Sequence, residues 1–565
     1  MSDTGAGEDT APRGMRLLDS IERIGNALPD PASLFAIGAA LVMVLSQVAV
    51  SLDWTVTKTI SREVREAVLD ADGHPLSDPG TGETLTRALL DPTTGQVQRE
   101  LATVPVRASS LLSGEGIYWT LSTLVKNFTD FPPLGVVLVG MLGIGLAEKT
   151  GFIGALLKAT LLAVPPALLT PTIIFVGVMS SMGLDAGYVV LPPLAAALYQ
   201  SVGRSPLVGL AAVFAGVSAG FGANLFITSL DPLLATFTSA SAQILDPGYV
   251  VAATSNWWFM IASTVLLTGV GWAVTAWWVE PRFAGKPPEL GGATPRDAEG
   301  LSSQQLAAEE KRGLVIAVAV AVAAVAVFAL ATLLPGAPLH GLDGAFPRWV
   351  RVIVPLLFFG FLLPGLAYGV ATGRLRNDKD VARIMADTMA GMGPYIVLAF
   401  FAAQFIAWFA HSGLGEMLAI SGGRALAQAR LPDALLMQGF IVVVIVGNLF
   451  IGSMSAKYAF FAPVFVPMFM QVGISPELTQ VAYRVGDSVS NVITPLNPYM
   501  VILLVFMQRH MARAGIGTLV ALMLPYAVTF AVVWSMMLAL WMATGAPLGP
   551  AGPLVYDPSQ LVGLK

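Results

Sequence analysis

Charge-free apolar runs of span length recur along the chain, among them 32–52, 313–334 and 352–373. Each supplies the roughly 20 apolar residues that a helix needs to cross a bilayer. Other apolar stretches are broken by Pro and Gly, and the main polar stretches fall at 1–31, 53–112, 280–312 and 374–392. The pattern predicts an all-α polytopic membrane protein. Its segments are a polar N-terminal piece (1–31), a first span (32–52), a polar loop (53–112), a helical half (113–250), a span (251–279) and a linker (280–312). A pair of spans (313–373), a second polar loop (374–392), a second helical half (393–513), a last span (514–545) and a tail (546–565) follow.

Composition agrees with the pattern. Of 565 residues, 55% are hydrophobic and 12% charged, about half the charged share of ~25% typical of soluble domains, which excludes a water-soluble fold. Cysteine is absent and the four histidines (His74, His340, His411, His510) are scattered, so disulfides, thiol nucleophiles and thiolate metal sites are excluded and no local metal motif stands out. The net charge of −5 comes with no basic block, and no nucleic-acid partner is expected.

Charge distribution sets an orientation. Arg13, Arg16 and Arg23 precede the first span, whereas acidic residues outnumber basic ones in 53–112. Lys and Arg recur at 280–312 (Arg282, Lys286, Arg296, Lys311, Arg312), at 374–383 (Arg374, Arg376, Lys379, Arg383) and at Arg509 and Arg513. By the positive-inside rule these stretches and the N-terminus are cytoplasmic, while 53–112 and the tail are extracytoplasmic, as in a bacterial inner-membrane protein with an odd number of crossings. Leu17, Leu18, Ile21, Ile24 and Leu28 share one side of a helix at 16–28, which fits a segment on the membrane surface or a plain helix cap.

Short strings repeat in one order in the two halves. ITSLDP (227–232) returns as ITPLNP (493–498), QSVGRSP (200–206) as QVGISP (471–476), Ser180-Ser181-Met182 as Gly452-Ser453-Met454, and Thr150-Gly151 as Ser412-Gly413. The first copy opens near 131–145, entered from the outer loop, and the second near 394–408, entered from a cytoplasmic one, so the copies run in opposite directions. Inverted repeats of this kind belong to secondary transporters, in which the halves exchange outward-open and inward-open shapes around a central site. Pro192 and Pro193, Gly216, Gly220 and Gly222, Pro463 and Pro467, and Pro495 and Pro498 fall where a plain span would be continuous. Each copy is therefore expected to carry a re-entrant hairpin and a discontinuous helix, since freed backbone at membrane depth is tolerated only inside protein or around a cavity.

Polar residues gather at these breaks. Asp185 in the first hairpin region corresponds to Lys457 in the second, and the two are expected to face a shared cavity or to be solvated at the hairpin tips. Arg484 and Asp487 are spaced to pair on one helix face. They lead into Ser488, Ser490, Asn491, Thr494 and Pro495, an oxygen-rich set suited to a hard cation such as Na⁺, with Asn224 and Thr228 as its relatives in the first half. Arg484 is expected to offer its planar fork to a substrate carboxylate. Asn448 reads either as a hairpin brace or as a substrate contact.

The strings LDSIERIGNALPDPASLF (18–35), DAGYVVLPPLAA (185–196), GNLFIGSMSAKYAFFAPVFVPMF (447–469), SPELTQVAYR (475–484) and VAYRVGDSVSNVITPLNPYM (481–500) closely resemble the aminobenzoyl-glutamate transporter (AbgT) family. The resemblance implies about nine transmembrane helices with two re-entrant hairpins, a homodimer, and ion-driven uptake of p-aminobenzoyl-glutamate or export of p-aminobenzoate and sulfonamide-type antimetabolites. It implies functional positions at Asp185, Asn448, Ser455, Tyr458, Pro476, Arg484, Asp487 and Pro495. Tyr458 stands where the family usually has Trp, so the ring that would stack on an aminobenzoyl group is smaller. No cofactor is implied beyond Na⁺ or H⁺ as coupling ion.

The alternatives are a Na⁺-coupled carrier of other small carboxylates, an intramembrane enzyme and a passive channel. No G-x-x-x-x-G-K-[ST] loop supports an ATP-driven pump and no H-E-x-x-H helix supports a metallopeptidase. The orientation has a direct test, because any introduced cysteine is unique. Ser302→Cys is expected to resist an impermeant thiol reagent in spheroplasts and to react once the membrane is permeabilised; labelling in sealed spheroplasts would reverse the assignment.

Overall fold

The computed structural model describes residues 29–63, 65–68, 74–77, 84–89, 99–183, 186–293, 305–344, 346–494 and 496–558. The surface helix expected at 16–28, together with Asp185 and Pro495, lies outside the described residues. Helix α1 (Pro31–Ser51) starts behind Asp30, whose carboxylate accepts from the Ala32 amide at 2.9 Å, a side-chain N-cap that satisfies an otherwise orphan donor. The stretch expected to be a polar loop contains strands instead. β1 (Thr55–Glu63) pairs antiparallel with β4 (Arg99–Arg107), and β2 (Arg65–Ala67) with β3 (Thr86–Ala88). Val56 and Val106 pack on Met417 and Ile420, so the alternation of apolar and polar residues at the base of this ribbon serves to dock it on the helical body.

Helix α2 (Gly114–Thr129) leads into the first repeat: α3 (Pro132–Lys149), α4 (Phe152–Leu162), α5 (Leu169–Met179), α6 (Ala186–Ser201), α7 (Pro206–Phe214) and α8 (Leu230–Ala242). Then come α9 (Trp257–Val274), α10 (Ala308–Leu333), α11 (Ile353–Ala371) and α12 (Asp378–Gly391). The second repeat is α13 (Gly393–His411), α14 (Leu414–Ala429), α15 (Asp433–Asn448), α16 (Met454–Met470), α17 (Pro476–Ser490) and α18 (Tyr499–His510), and α19 (Ile516–Thr544) closes the chain. Helix α12 replaces the loop expected at 374–392. Asn377 caps it by accepting from the Asp380 amide, and the Arg376 amide together with Arg383 holds the Asp380 carboxyl below the usual carboxylate range.

Among the described residues seven helical segments are long and apolar enough to cross a membrane, or eight if the segments Phe152–Leu162 and Pro166–Met182, bent by 116°, form one broken span. Helices α15, α16 and α18 are apolar but shorter. Beyond its charged start (Glu309 to Arg312) helix α10 is apolar, and few of its residues are buried in the protein, as in a helix facing lipid tails.

The repeat read from short strings is present helix for helix. The Thr150-Gly151 and Ser412-Gly413 matches are the turns from α3 to α4 and from α13 to α14, each with glycine at positive φ (Gly151 at 86°, Gly413 at 73°), a conformation that disfavours a Cβ. The QSVGRSP and QVGISP matches are the turns into α7 and α17, again with glycine at positive φ (75° at Gly203, 87° at Gly473), serine at the N-cap and proline opening the helix. Aligning 227–232 with 493–498 also aligns Gly220 with Gly486 and Val178 with Val444, and each glycine packs on its valine in the preceding hairpin arm. The copies are antiparallel where they meet: Ser218 lies against Asn497, Gly222 against Ser488 and Asp231 against Arg484, so one number rises as the other falls.

Glycine is required at the crossing of α15 and α17. A Cβ on Gly486 would sit 2.8 Å from both the Ile441 carbonyl oxygen and Val444 Cβ, whereas one on Gly439 would meet nothing within 4 Å. Gly486→Ala is expected to destabilise the protein by about 1–3 kcal/mol, the scale of overpacking, and Gly439→Ala to be neutral or stabilising. Thermal unfolding of the two variants in detergent checks this, and equal midpoints would contradict it.

Candidate functional site

The two discontinuous helices cross at the centre of the molecule. In the first repeat the helix continues past α7 as a wide π-turn through Ala219, then opens as an extended segment before α8. In the second, α17 ends at Ser490 and α18 resumes at Tyr499. Every residue of α17 is buried, including Glu477, Gln480, Arg484, Asp487 and Ser488. A helix polar on one face and wholly enclosed must meet polar groups from its neighbours.

Four charges meet there, paired across different elements from those expected. Arg484 and Asp487 do not pair with each other. Arg484 Nη1 lies 2.6 Å from Asp231 Oδ1 at the start of α8, and its Nε and Nη2 donate to the Gly222 carbonyl at 3.1 and 2.7 Å. Asp487 Oδ1 lies 2.6 Å from Lys457 Nζ on α16 and accepts from the Tyr483 hydroxyl at 3.3 Å. Arg484 and Asp487 thus each turn to an opposite charge on a facing element: Arg484 toward the first repeat, Asp487 toward the second hairpin. Spacing along one helix carries no information about those partners.

Asp231 is the better braced carboxylate. Its Oδ2 accepts from Asn224 Nδ2 at 3.0 Å, the Thr228 amide at 2.7 Å and Thr228 Oγ1 at 3.0 Å. The corresponding position in the second repeat is Asn497, which donates to Ser218 Oγ at 3.1 Å and to the Asn491 carbonyl at 2.8 Å. Since Ser218 aligns with Arg484, the same crossing is built twice, once ionic and once neutral.

Asn448 ties the second hairpin to α17. Its Nδ2 reaches the Asp487 carbonyl (3.0 Å), Ser490 Oγ (2.8 Å) and Asn491 Oδ1 (2.8 Å), its Oδ1 accepts from Lys457 Nζ at 2.5 Å, and its carbonyl accepts from Thr494 Oγ1 at 3.0 Å. The oxygen set expected to hold a cation therefore falls into two groups, Asn224 with Thr228 at one break and Ser490, Asn491 and Thr494 at the other, and most of these oxygens are engaged in hydrogen bonds. Among the described residues, Asn224 Oδ1 in the first group and Asp487 Oδ2 beside the second are buried oxygens without a hydrogen-bond partner.

Tyr458 is fully buried, its hydroxyl sharing a hydrogen bond with Thr238 Oγ1 at 2.6 Å and its ring 4.3 Å from that of Tyr483. Thr238 in turn donates to Gln480 Oε1 at 2.7 Å. Arg484 and Tyr458 are fully enclosed in this conformation and line neither of the two cavities near the crossing. Ser455 lines one of them, and Pro476 opens α17 at its other end.

Two cavities approach the crossing from opposite ends. One, of about 420 Å³, is bordered by Ser455, Ser229, Glu148, Lys149, Asp387 and Tyr395; the other, of about 890 Å³, by Glu477, Tyr249, Asp246, Arg351, Phe346 and Pro553. Helix α8 stands between them, with Leu230 and Leu233 on the first and Pro232, Ala235 and Thr236 on the second. The halves thus enclose a charged barrier with a recess on either side.

The model of the AbgT putative transporter family matches residues 16–556. The chain belongs to the AbgT family. It is 33% identical to the p-aminobenzoyl-glutamate transport protein of Escherichia coli (strain K12) over 542 residues, covering 95% of this chain and 96% of that protein. Among solved structures it resembles the YdaH transporter of Alcanivorax borkumensis (39% identity, TM-score 0.79, 92% of this chain and 100% of that one). It also resembles MtrF of Neisseria gonorrhoeae, which represents a class of antimetabolite efflux pumps (36% identity, TM-score 0.80, 95% and 100%). The chain is a helical membrane transporter and not an enzyme.

Asn448, Tyr458, Arg484 and Asp487, each singled out separately in the sequence, lie close together here, whereas the sequence reading passed over Asp231, Thr238 and Gln480. Asp231 lies inside the repeated string ITSLDP, opposite Asn497 of ITPLNP, and that exchange of acid for amide was its available signal. For the AbgT centre the pairing predicts that Lys457→Met, which strands Asp487, costs about 3–5 kcal/mol. Adding Asp487→Asn is expected to recover part of that loss. Chemical unfolding of the single and double variants in detergent measures it, and additive losses would show that the two side chains do not interact.

Proposed function

We propose that this AbgT transporter is an ion-coupled secondary carrier of p-aminobenzoyl-glutamate or of related p-aminobenzoate and sulfonamide-type antimetabolites, working by alternating access. The observation that carries the reading is the barrier itself: two antiparallel repeats joined at their helix breaks by the Arg484–Asp231 pair, the Lys457–Asp487 pair bracing the second repeat, with a recess on each side. Rocking one repeat against the other opens one recess while closing the other. The charge pairs give that motion something to exchange, because an ion or an anionic substrate that engages Lys457, Asp487 or Arg484 changes the balance between closed and open arrangements.

Arg484 and Tyr458 form the substrate clamp in this reading, guanidinium for a carboxylate or sulfonyl oxygen and ring for the aromatic amine, once the crossing opens. Asp185, Asn448, Ser455, Pro476, Asp487 and Pro495 complete the path. The unmatched oxygens of Asn224 and Asp487 suit a coupling cation, Na⁺ or H⁺. The basic ends lie together: Arg282 donates to the Ala521 carbonyl, and Arg374 to the Thr150 carbonyl beside Glu310. That supports a cytoplasmic face carrying the N-terminus, the linker at 280–312 and the recess at Ser455, with the tail outside, in the inner membrane. Family membership supports a homodimer.

Proteoliposomes given labelled p-aminobenzoyl-glutamate or a labelled sulfonamide under separately imposed Na⁺ and H⁺ gradients test the proposal. Accumulation is expected with one of the two ions, together with counterflow against unlabelled substrate; Asp487→Asn is expected to lose at least nine-tenths of it. Passage down the substrate gradient without counterflow would mean a channel instead.

A further inference from the structure

Among the described residues, Glu477 is the buried carboxylate that the charge pairs leave over. It occupies the first turn of α17 next to Pro476, is 2% exposed, and borders the 890 Å³ cavity. Both carboxylate oxygens face the Tyr249 hydroxyl, at 2.9 and 3.2 Å, and among the described residues no Lys, Arg or His forms an ion pair with it. This contrasts with Asp231 and Asp487, which each have a cation at 2.6 Å. Burying an unpaired carboxylate is costly, and taking up a proton removes that cost.

The surroundings are those of a proton-exchanging group. Tyr249 is half-buried on the cavity wall and belongs to the loop after α8. Asp246 of that loop accepts from the Tyr556 hydroxyl at 3.2 Å, and the Tyr556 ring packs edge-on against Tyr249 at 5.6 Å. Arg351 lies on the opposite wall, held by Asp343 at 3.2 Å. Toward the centre, the Glu477 carbonyl accepts from Asn256 Nδ2 at 3.1 Å, and Asn256 Oδ1 accepts from Gln480, which reaches Thr238 and Tyr458. The acid thus sits between a cavity and a hydrogen-bonded string that runs from its own main-chain carbonyl as far as Tyr458, whose ring packs on Tyr483 beside the charged crossing. The charged and titratable groups facing it are Tyr249, Asp246 and Tyr556 on the cavity side, Arg351 across the cavity, Tyr458 on α16 and Arg484 further along α17.

We propose that Glu477 is a proton-binding site of the transport cycle, taking a proton from the cavity on the tail side and releasing it when the repeats rock. The step is a plain protonation, carboxylate plus H⁺ giving the acid, and it rests on the carrier reading above. Tyr249 is its positioning residue.

The test uses full-length protein in proteoliposomes with labelled p-aminobenzoyl-glutamate. Glu477→Gln is expected to lose at least tenfold of the accumulation driven by a pH gradient while counterflow, which needs no net proton release, falls less than threefold. Tyr249→Phe is expected to shift the midpoint of the pH profile and to keep the maximal rate within about twofold. Unchanged pH-driven accumulation in Glu477→Gln would overturn the proposal. If Glu477→Gln does not fold, a Tyr249→Phe profile that coincides with wild type overturns it, and a shifted one supports it. Wild-type protein driven by Na⁺ alone also overturns it but leaves the carrier reading standing. Wild-type protein that moves this probe under neither gradient and shows no counterflow defeats the carrier reading for that substrate.

Discussion

Four charges enclosed in an apolar protein at membrane depth set the terms for the rest of this fold. Arg484, Asp231, Lys457 and Asp487 are stable there only as two pairs whose remaining donors and acceptors are largely matched by the Gly222 carbonyl, Thr228, Asn224 and Asn448. Insertion of one such residue at mid-bilayer costs roughly 2.5–3.5 kcal/mol on biological scales, and leaving one unpaired inside protein costs more. The helix breaks follow from that requirement. An unbroken helix hides its carbonyls and amides, whereas the openings after Ala219 and Ser490 offer them where the charges need partners.

The arrangement also explains the use of small residues. Arg484 reaches the Gly222 carbonyl because Ser488 and Gly222 lie close, with no room for a Cβ on the glycine. Gly220 and Gly486 do the same between each discontinuous helix and its hairpin. Close backbone approach, short polar side chains and long cations are parts of one solution to packing a polar column inside lipid-facing helices.

Much of this was legible in the chain. The repeat was visible because its four matched strings are turns and breaks, places where Gly at positive φ, Ser caps and Pro at the helix start are dictated by backbone geometry and so persist when the apolar filling drifts. Apolar span residues carry no such signature, since Leu, Val, Ile and Ala exchange freely against lipid. Arg484, Asp487 and Asn448 stood out as polar residues near those breaks, and Tyr458 through the family resemblance. Their partners did not: the Arg484–Asp231 and Lys457–Asp487 pairs join elements that only the tertiary fold brings together, and an i,i+3 spacing on α17 suggested the wrong one. The ribbon of β1 and β4 was missed because its polar composition resembles a loop, and its few apolar contacts with Met417 and Ile420 are far away in sequence.

The doubled crossing has an energetic consequence. In the alternating-access reading proposed above, identical halves would make the inward-facing and outward-facing shapes equivalent by a half-turn about an axis in the membrane plane and equal in free energy, and the empty carrier would divide its time evenly between them. Here one copy of the crossing is Arg484 with Asp231 and the other Ser218 with Asn497, so the two shapes strain unlike contacts. On that reading the duplication supplies the rocking motion, and the replacement of an ionic contact by a neutral one tilts it, giving the unloaded carrier a preferred side from which to begin each turnover.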